Sequence, residues 1–186
     1  MRYSASHKQE TREKLLDSSA ALAKKEGFAS VGVDGLMKAI GLSGGAFYSH
    51  FASKDELFGS IVERELSHSL ERLNGNGMQS RERLDRCLKF YLSMAHVEQS
   101  EVGCALPSLG AEIARSDVAV RQQAQDWICR LQAGWAATLG SEDLAWSILS
   151  QCIGALVVAR MMVSPQVQAQ VLSSNYDVLS QQLAKL

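Results

Sequence analysis

The 186 residues contain only two prolines, Pro107 and Pro165, so long stretches carry nothing that must interrupt a helix. Those stretches are rich in Ala, Leu, Gln, Glu and Lys, which favours an all-α protein. The four cysteines, Cys87, Cys104, Cys129 and Cys152, are widely spaced, with no CxxC and no histidine clustered with them. No metal site and no cofactor are expected from that pattern. The N-terminus is polar and lacks the apolar segment of a signal peptide. The longest apolar run, residues 152–163, is interrupted by Arg160 and falls short of the roughly 20 residues that cross a bilayer. A cytoplasmic protein with reduced thiols and no membrane partner is expected. Nucleophile–base spacings, carboxylate–histidine patterns and a glycine-rich phosphate loop after a strand are missing too, so an enzyme is not expected.

An excess of charge of one sign is also lacking, since the net charge is -1. Its distribution is uneven. Residues 1–54 hold eight Lys/Arg and five Asp/Glu, or +3, and the remainder holds eleven and fifteen, or -4. A mildly basic end on an acidic body hints at a nucleic-acid-facing N-terminal part. The 46% hydrophobic content suffices for one to two domains with a proper core.

The stretch Leu42-Ser43-Gly44-Gly45-Ala46-Phe47-Tyr48-Ser49-His50-Phe51 organises the rest. Ser43 reads as an N-cap whose hydroxyl accepts a backbone N–H. Gly44 and Gly45 then fall in the first turn, at about 1 kcal/mol each relative to alanine. Close approach to another surface is the physical reason to accept that cost. Phe47 and Phe51 share an apolar back, while Tyr48 and His50 point elsewhere. Upstream, Ser6 with Gln9 suggests a capping box for a first helix whose apolar spacing ends at Gly27. Val33, Leu36, Met37 and Ile40 stripe a second short helix with Asp34 in its first turn. Gly41 breaks it, and Ser43 restarts. Two short helices around a tight glycine turn read as a helix-turn-helix or as an ordinary helical hairpin.

Ser53-Lys54-Asp55-Glu56 before Leu57-Phe58 is a capping box that opens a long helix to about Leu73. Lys54 at its first position, beside free backbone N–H groups, suits a phosphate, though a lone lysine is more often a solvated charge.

From Gly27-Phe28 through Val33-Asp34-Gly35-Leu36-Met37, Gly41 to Phe51 and Ser53 to Phe58, the residues resemble the N-terminal domain of TetR-family transcriptional regulators. The resemblance covers about the first third of the chain. It implies a three-helix helix-turn-helix head followed by a C-terminal helical bundle, about nine helices in all, in a homodimer. The head would span residues 6–68, with the helix-turn-helix at about 32–51, and the effector-binding and dimerisation domain 69–186. It further implies a ligand-responsive regulator, most often a repressor, whose partners are a double-stranded DNA operator and a small-molecule effector of unspecified identity. The family's DNA contacts fall on Ser43, Gly44, Gly45, Ala46, Tyr48, His50 and Lys54. Two positions depart from the pattern. Val31 and Gly32 stand where hydroxyl residues are common, and Gly44 stands where a lysine or arginine is common, which leaves sequence preference open.

Asn74-Gly75-Asn76-Gly77 reads as a loop, and a helix over about 80–99 should follow it. Further helices are expected over 106–115, 118–139 and 144–163, with a last one after Ser164-Pro165. Effector-lining candidates are Phe90, Tyr91, Met94, Leu109, Trp127, Leu131, Trp135, Cys152 and Leu156, each also a plausible plain core residue. His96 could donate to a ligand. Dimer candidates are Ile153, Gly154, Val157, Leu172, Tyr176, Leu179 and Leu183 on the last two helices. Cys104, just before a helix start, is the candidate redox thiol, and it carries an alternative reading as an electrophile-sensing regulator. A third reading is a helical enzyme or carrier with no DNA role.

Overall fold

The structure is a computed structural model that describes residues 5–74 and 80–185. Among them are nine α-helices and no strand: α1 (Ala5–Glu26), α2 (Val33–Ala39), α3 (Lys54–Asn74), α4 (Arg81–Tyr91), α5 (Met94–Glu98), α6 (Leu106–Arg115), α7 (Val118–Leu139), α8 (Glu142–Met161) and α9 (Pro165–Ala184). Two short 3₁₀ segments lie at Gly44–Ser49 and Ser100–Val102. Helix α1 starts at Ala5, so Ser6 lies within it rather than capping it. The expected loop at Gly75, Asn76 and Gly77 falls outside the described residues.

Local chemistry sets most boundaries. Ser80, Asp117, Ser141 and Ser164 cap α4, α7, α8 and α9 by accepting from Arg83, Val120, Leu144 and Val167 N–H. The box at α3 closes from both ends. Ser53 Oγ accepts the Glu56 amide at 3.0 Å, and the Glu56 carboxylate reaches back to the Ala52 amide at 2.6 Å. Gly27 and Gly41, with φ of +83° and +75°, end α1 and α2 in the left-handed region that other residues resist.

Two expectations need correction. The segment after Ser43 is a six-residue 3₁₀ turn rather than an α-helix, and the Ser43 side chain makes no capping bond. Two leading glycines and so short a run give an α-helix little to propagate from. The helix expected over 80–99 is broken at Leu92 and Ser93, where the backbone turns extended before α5. The break lets Tyr91 and Leu92 both face inward and swings the His96 ring onto the chain at Cys104.

Helices α1 and α2, the Gly44–Ser49 turn and the first half of α3 enclose one part of the core, with Leu15, Leu36, Met37, Phe47, Phe51, Leu57 and Ile61 at most 1% exposed. Burying Phe47 stabilises this unit by about 1.5–3 kcal/mol. The remaining helices enclose Leu88, Leu109, Trp135, Ile148, Leu156 and Leu179. Helix α3 packs along α7, α7 on α8, and α8 on α9. By length and composition α8 is apolar enough to cross a bilayer. Its Ala145, Ile148, Leu149, Cys152 and Leu156 are instead buried against neighbouring helices. Arg160 on the same helix donates to Ser108 Oγ (2.9 Å) and the His96 carbonyl (2.7 Å).

Two ties join the N-terminal helices to the body, and a ring contact joins the end of α1 to α3. Glu112 of α6 accepts the amides of Phe28 (3.0 Å) and Ala29 (2.8 Å), two donors left free where α1 ends. Lys24 of α1 pairs with Glu65 of α3 at 2.7 Å and also donates to the Gly103 carbonyl at 3.2 Å. Phe28 stacks on Phe58, ring centroids 4.6 Å apart.

Candidate nucleic-acid interface and cavity

The Gly44–Ser49 turn sits on α2 with its apolar side inward. Phe47 and Phe51 are buried with ring centroids 6.0 Å apart, and the Arg12 guanidinium covers Phe51 at 4.3 Å. The other side is open. Tyr48 is 67% exposed, held edge-on by Phe47. Ser43 and Gly45 are exposed, and Gly44, Ala46, His50 and Lys54 are half-buried. All seven thus keep some surface, from the ends of the turn to the head of α3.

The two glycines differ. A methyl group on Gly44 would overlap the Asp34 carboxylate of α2, so this glycine serves the internal fit of the two short elements. At Gly45 a methyl group meets nothing within 4 Å, which leaves that backbone open to an approaching surface. Lys54 Nζ lies 3.4 Å from the Ala29 carbonyl and 4.7 Å from the Phe28 ring centroid, folded against the corner after α1. The pKa of His50 lies below its ordinary value, through burial and then the charges of Lys8 and Arg12. Its Nδ1 is buried without a partner among the described residues. Lys8 and Arg12 thus add positive charge beside His50. Neither stands out in the sequence, where only the +3 balance of residues 1–54 pointed to them collectively.

A cavity of about 540 Å³ opens at the other end of α3. Ser69, Arg72 and Leu73 of α3 form one wall, Arg83, Arg86, Cys87, Phe90 and Tyr91 of α4 another. Ala95, His96, Gln99 and the 102–104 segment complete it. Of the nine effector-lining candidates, Phe90 and Tyr91 are there. Met94, Leu109, Trp127, Leu131, Trp135, Cys152 and Leu156 are not. Leu109, Leu131, Trp135, Cys152 and Leu156 are under 5% exposed and pack in the core. Burial also raises the Cys152 thiol to about 12, so it stays protonated.

His96 is fully engaged. Its Nε2 accepts the Cys104 amide at 3.0 Å, which places the proton on Nδ1, 2.8 Å from the Tyr91 carbonyl that accepts it. Gly103 permits this arrangement, because any side chain there would collide with the imidazole. His96 therefore has no free nitrogen for a ligand. Cys104 is 6% exposed at the cavity floor, its thiol 3.9 Å from Ser69 Oγ.

The dimer candidates separate as well. Leu172, Leu179 and Leu183 are buried within this chain, so they pack its own core and offer no surface to a second copy. Tyr176 is half-buried, its hydroxyl 3.1 Å from both oxygens of Asp85 on α4. Ile153, Gly154 and Val157 do reach the surface of α8, joined by Val158 and Met161 there and by Val178 on α9.

A short turn with a polar front, seated on a helix through a glycine corner, is the arrangement of a helix-turn-helix. The model of the bacterial regulatory proteins of the tetR family matches residues 15–61, so this part of the chain carries a TetR-type DNA-binding domain. The AcrR regulator of Shigella flexneri is 40% identical over 55 residues, covering 30% of this chain and 26% of that protein. The regulator YvdT of Bacillus subtilis is 30% identical over 63 residues, 34% of this chain and 32% of its own length. The chain thus spans about a third or less of these curated relatives. Among solved structures, the reduced form of NemR from E. coli superposes with a TM-score of 0.77 over 92% of this chain and 96% of its own, at 20% identity. That likeness extends the shared fold across the body.

Proposed function

We propose that this protein is a ligand-responsive DNA-binding regulator, a repressor released from its operator by a small effector, acting as a cytoplasmic homodimer. The observation that carries the reading is the pairing of two features on α3. Its first residue, Lys54, follows the exposed Gly44–Ser49 turn, and its last turns, at Ser69, Arg72 and Leu73, wall the cavity. The head, residues 6–68, inserts the Gly44–Ser49 turn into a major groove. Ser43, Gly45 and Ala46 face base edges, while Tyr48, His50 and Lys54, with Lys8 and Arg12, hold phosphates and set register. The body, residues 69–186, dimerises through the open apolar strip Ile153–Gly154–Val157–Met161 of α8 and Val178 of α9. Two heads then reach successive major grooves about 34–36 Å apart. An effector that fits the cavity only when α3 is displaced shifts the population toward a dimer with the wrong spacing.

The test is fluorescence anisotropy of the purified protein with duplexes tiling the region upstream of its own reading frame. Saturable binding of one duplex, at least 10³-fold tighter than a scrambled duplex at the same salt, is the expected result. Uniform weak binding of every duplex, or a protein that sediments as a monomer at micromolar concentration, would overturn the reading.

A further inference from the structure

We propose that the cavity beside α3 is a site for an amphipathic organic anion: a carboxylate or sulfonate on an aromatic or aliphatic body. The proposal rests on the reading of this cavity as the effector site and names the ligand chemistry. Three guanidiniums, Arg72, Arg83 and Arg86, border the cavity, and among the described lining residues there is no Asp or Glu. None of the three has a carboxylate within salt-bridge distance among the described residues, where the ion pairs involve Lys24 and Arg64. Arg72 spends one donor on the Val102 carbonyl at 3.2 Å. Arg83 Nε is buried with no partner among the described residues. Of the acids on α4, Asp85 is occupied by Tyr176, and Glu82 is solvent-exposed beside Arg81 and Arg86. This concentration of positive charge stands in the part of the chain whose balance is -4.

The floor points the same way. Tyr91 is 6% exposed and lines the cavity, and among the described residues its hydroxyl has only the Cys104 thiol, a weak acceptor, beside it. A buried phenol with so weak an acceptor is a poorly met donor, and a ligand oxygen would satisfy it better. The apolar share of the lining comes from Leu73, Phe90, Ala95 and Val102. Phe90 is 74% exposed, a large ring open to solvent. Guanidiniums recognise planar carboxylates by paired N–H donors, and an apolar body of drug size fits a cavity of this volume. A cation or a purely apolar ligand would leave the arginines without partners.

Calorimetry of the full-length protein with 2-naphthoate, decanoate and 8-anilinonaphthalene-1-sulfonate, against the uncharged 2-naphthamide and decanamide, tests this. At least one carboxylate should bind tenfold or more tightly than its amide. Arg86→Gln, at an exposed position, should reduce that preference at least threefold. Tyr91→Phe should weaken the carboxylate while leaving thermal stability equal or higher, because it removes the poorly met donor. If each amide binds as well as its acid, if nothing in the panel binds, or if both variants bind like the parent, the proposal is wrong. Anisotropy with operator DNA in the same samples separates the two readings. Anion binding without release of DNA retains the anion site and removes its role as effector site. Release by the amides alone retains the effector site and removes the anion.

Discussion

Replacing Lys24 by methionine probes the tie between the N-terminal helices and the body. The lysine and glutamate side chains of the Lys24–Glu65 pair are 4% and 11% exposed, with nitrogen and oxygen 2.7 Å apart. Taking both charges out of water is costly, and their mutual attraction offsets that cost only while both are present. Lys24→Met leaves the Glu65 carboxylate buried without its cation and the Gly103 carbonyl without its donor at 3.2 Å. Loss of one partner of such a pair costs about 3–5 kcal/mol. That is a large part of the 5–15 kcal/mol expected for a whole domain. For a chain of this length it lowers Tm by roughly 6–20 °C, at 2–4 °C per kcal/mol. The double replacement Lys24→Met/Glu65→Leu removes both charges and should recover most of the loss. Urea unfolding followed by helical ellipticity measures both. A single variant within about 1 kcal/mol of the parent, or a double variant no more stable than the single, would refute the reasoning that burial makes this pair interdependent.

Lys54→Ala should weaken specific and non-specific DNA binding alike and reduce the slope of log K against log salt by about one, measured by anisotropy at four salt concentrations. Gly41→Ala should cost about 1–2 kcal/mol in urea unfolding, because φ is +75° there while no atom lies within 4 Å to clash. His96 makes stability depend on pH. Burial lowers its pKa, the Tyr91 carbonyl opposes this, and Arg160, Arg72 and Lys24 lower it further. The unfolded chain, near 6.5, therefore binds the proton first. The contribution is whole above about pH 6.5 and is lost as pH falls through the lower folded value. His96→Gln should flatten the stability profile over that acidic window, read as Tm at half-unit pH steps.

Much of this architecture was legible because it is local. Capping serines and aspartate at Ser53, Ser80, Asp117, Ser141 and Ser164 mark helix starts by chemistry that acts within one turn. The glycines at 27 and 41 mark stops in the same way. The candidate contacts from Ser43 to Lys54 are nearly continuous in sequence and rest on local pattern alone. The Gly44–Ser49 turn is 3₁₀ rather than α-helical, although the Phe47/Phe51 spacing places both rings inward as expected. Spacing of four does not separate a short 3₁₀ turn from one α-turn plus a bend. The cavity was mostly illegible. Its walls come from α3, α4, α5 and the 102–104 segment, and its charged members are three arginines, which sequence patterns assign to solvent. The aromatic and aliphatic candidates were chosen for apolarity, the property that put Trp135 and Leu131 in the core instead. Leu172, Leu179 and Leu183 were misplaced likewise, because a helical stripe reports burial and does not say whether one chain or two supplies it.

The path between cavity and exposed turn follows from the same contacts. From Lys54 to Arg72 is eighteen residues of helix, about 27 Å at 1.5 Å per residue. A tilt of α3 by about 4° moves its far end by about 2 Å over that length, the scale on which a groove contact is kept or lost. A tilt of α3 carries α1 with it to the extent that Arg64 holds Glu13 and Asp17 at 2.6 and 2.8 Å and Phe58 stacks on Phe28. The bonds that resist such a motion are those of Glu112 to Phe28 and Ala29 and of Lys24 to Gly103. Gly103 is itself cavity wall, one residue before the Cys104 amide that fixes His96. A ligand that displaces this segment thus acts on the head at two points, along α3 and through the backbone at 103. Were Lys24 solvated, the backbone route through Gly103 would be lost and α3 alone would join the cavity to the exposed turn.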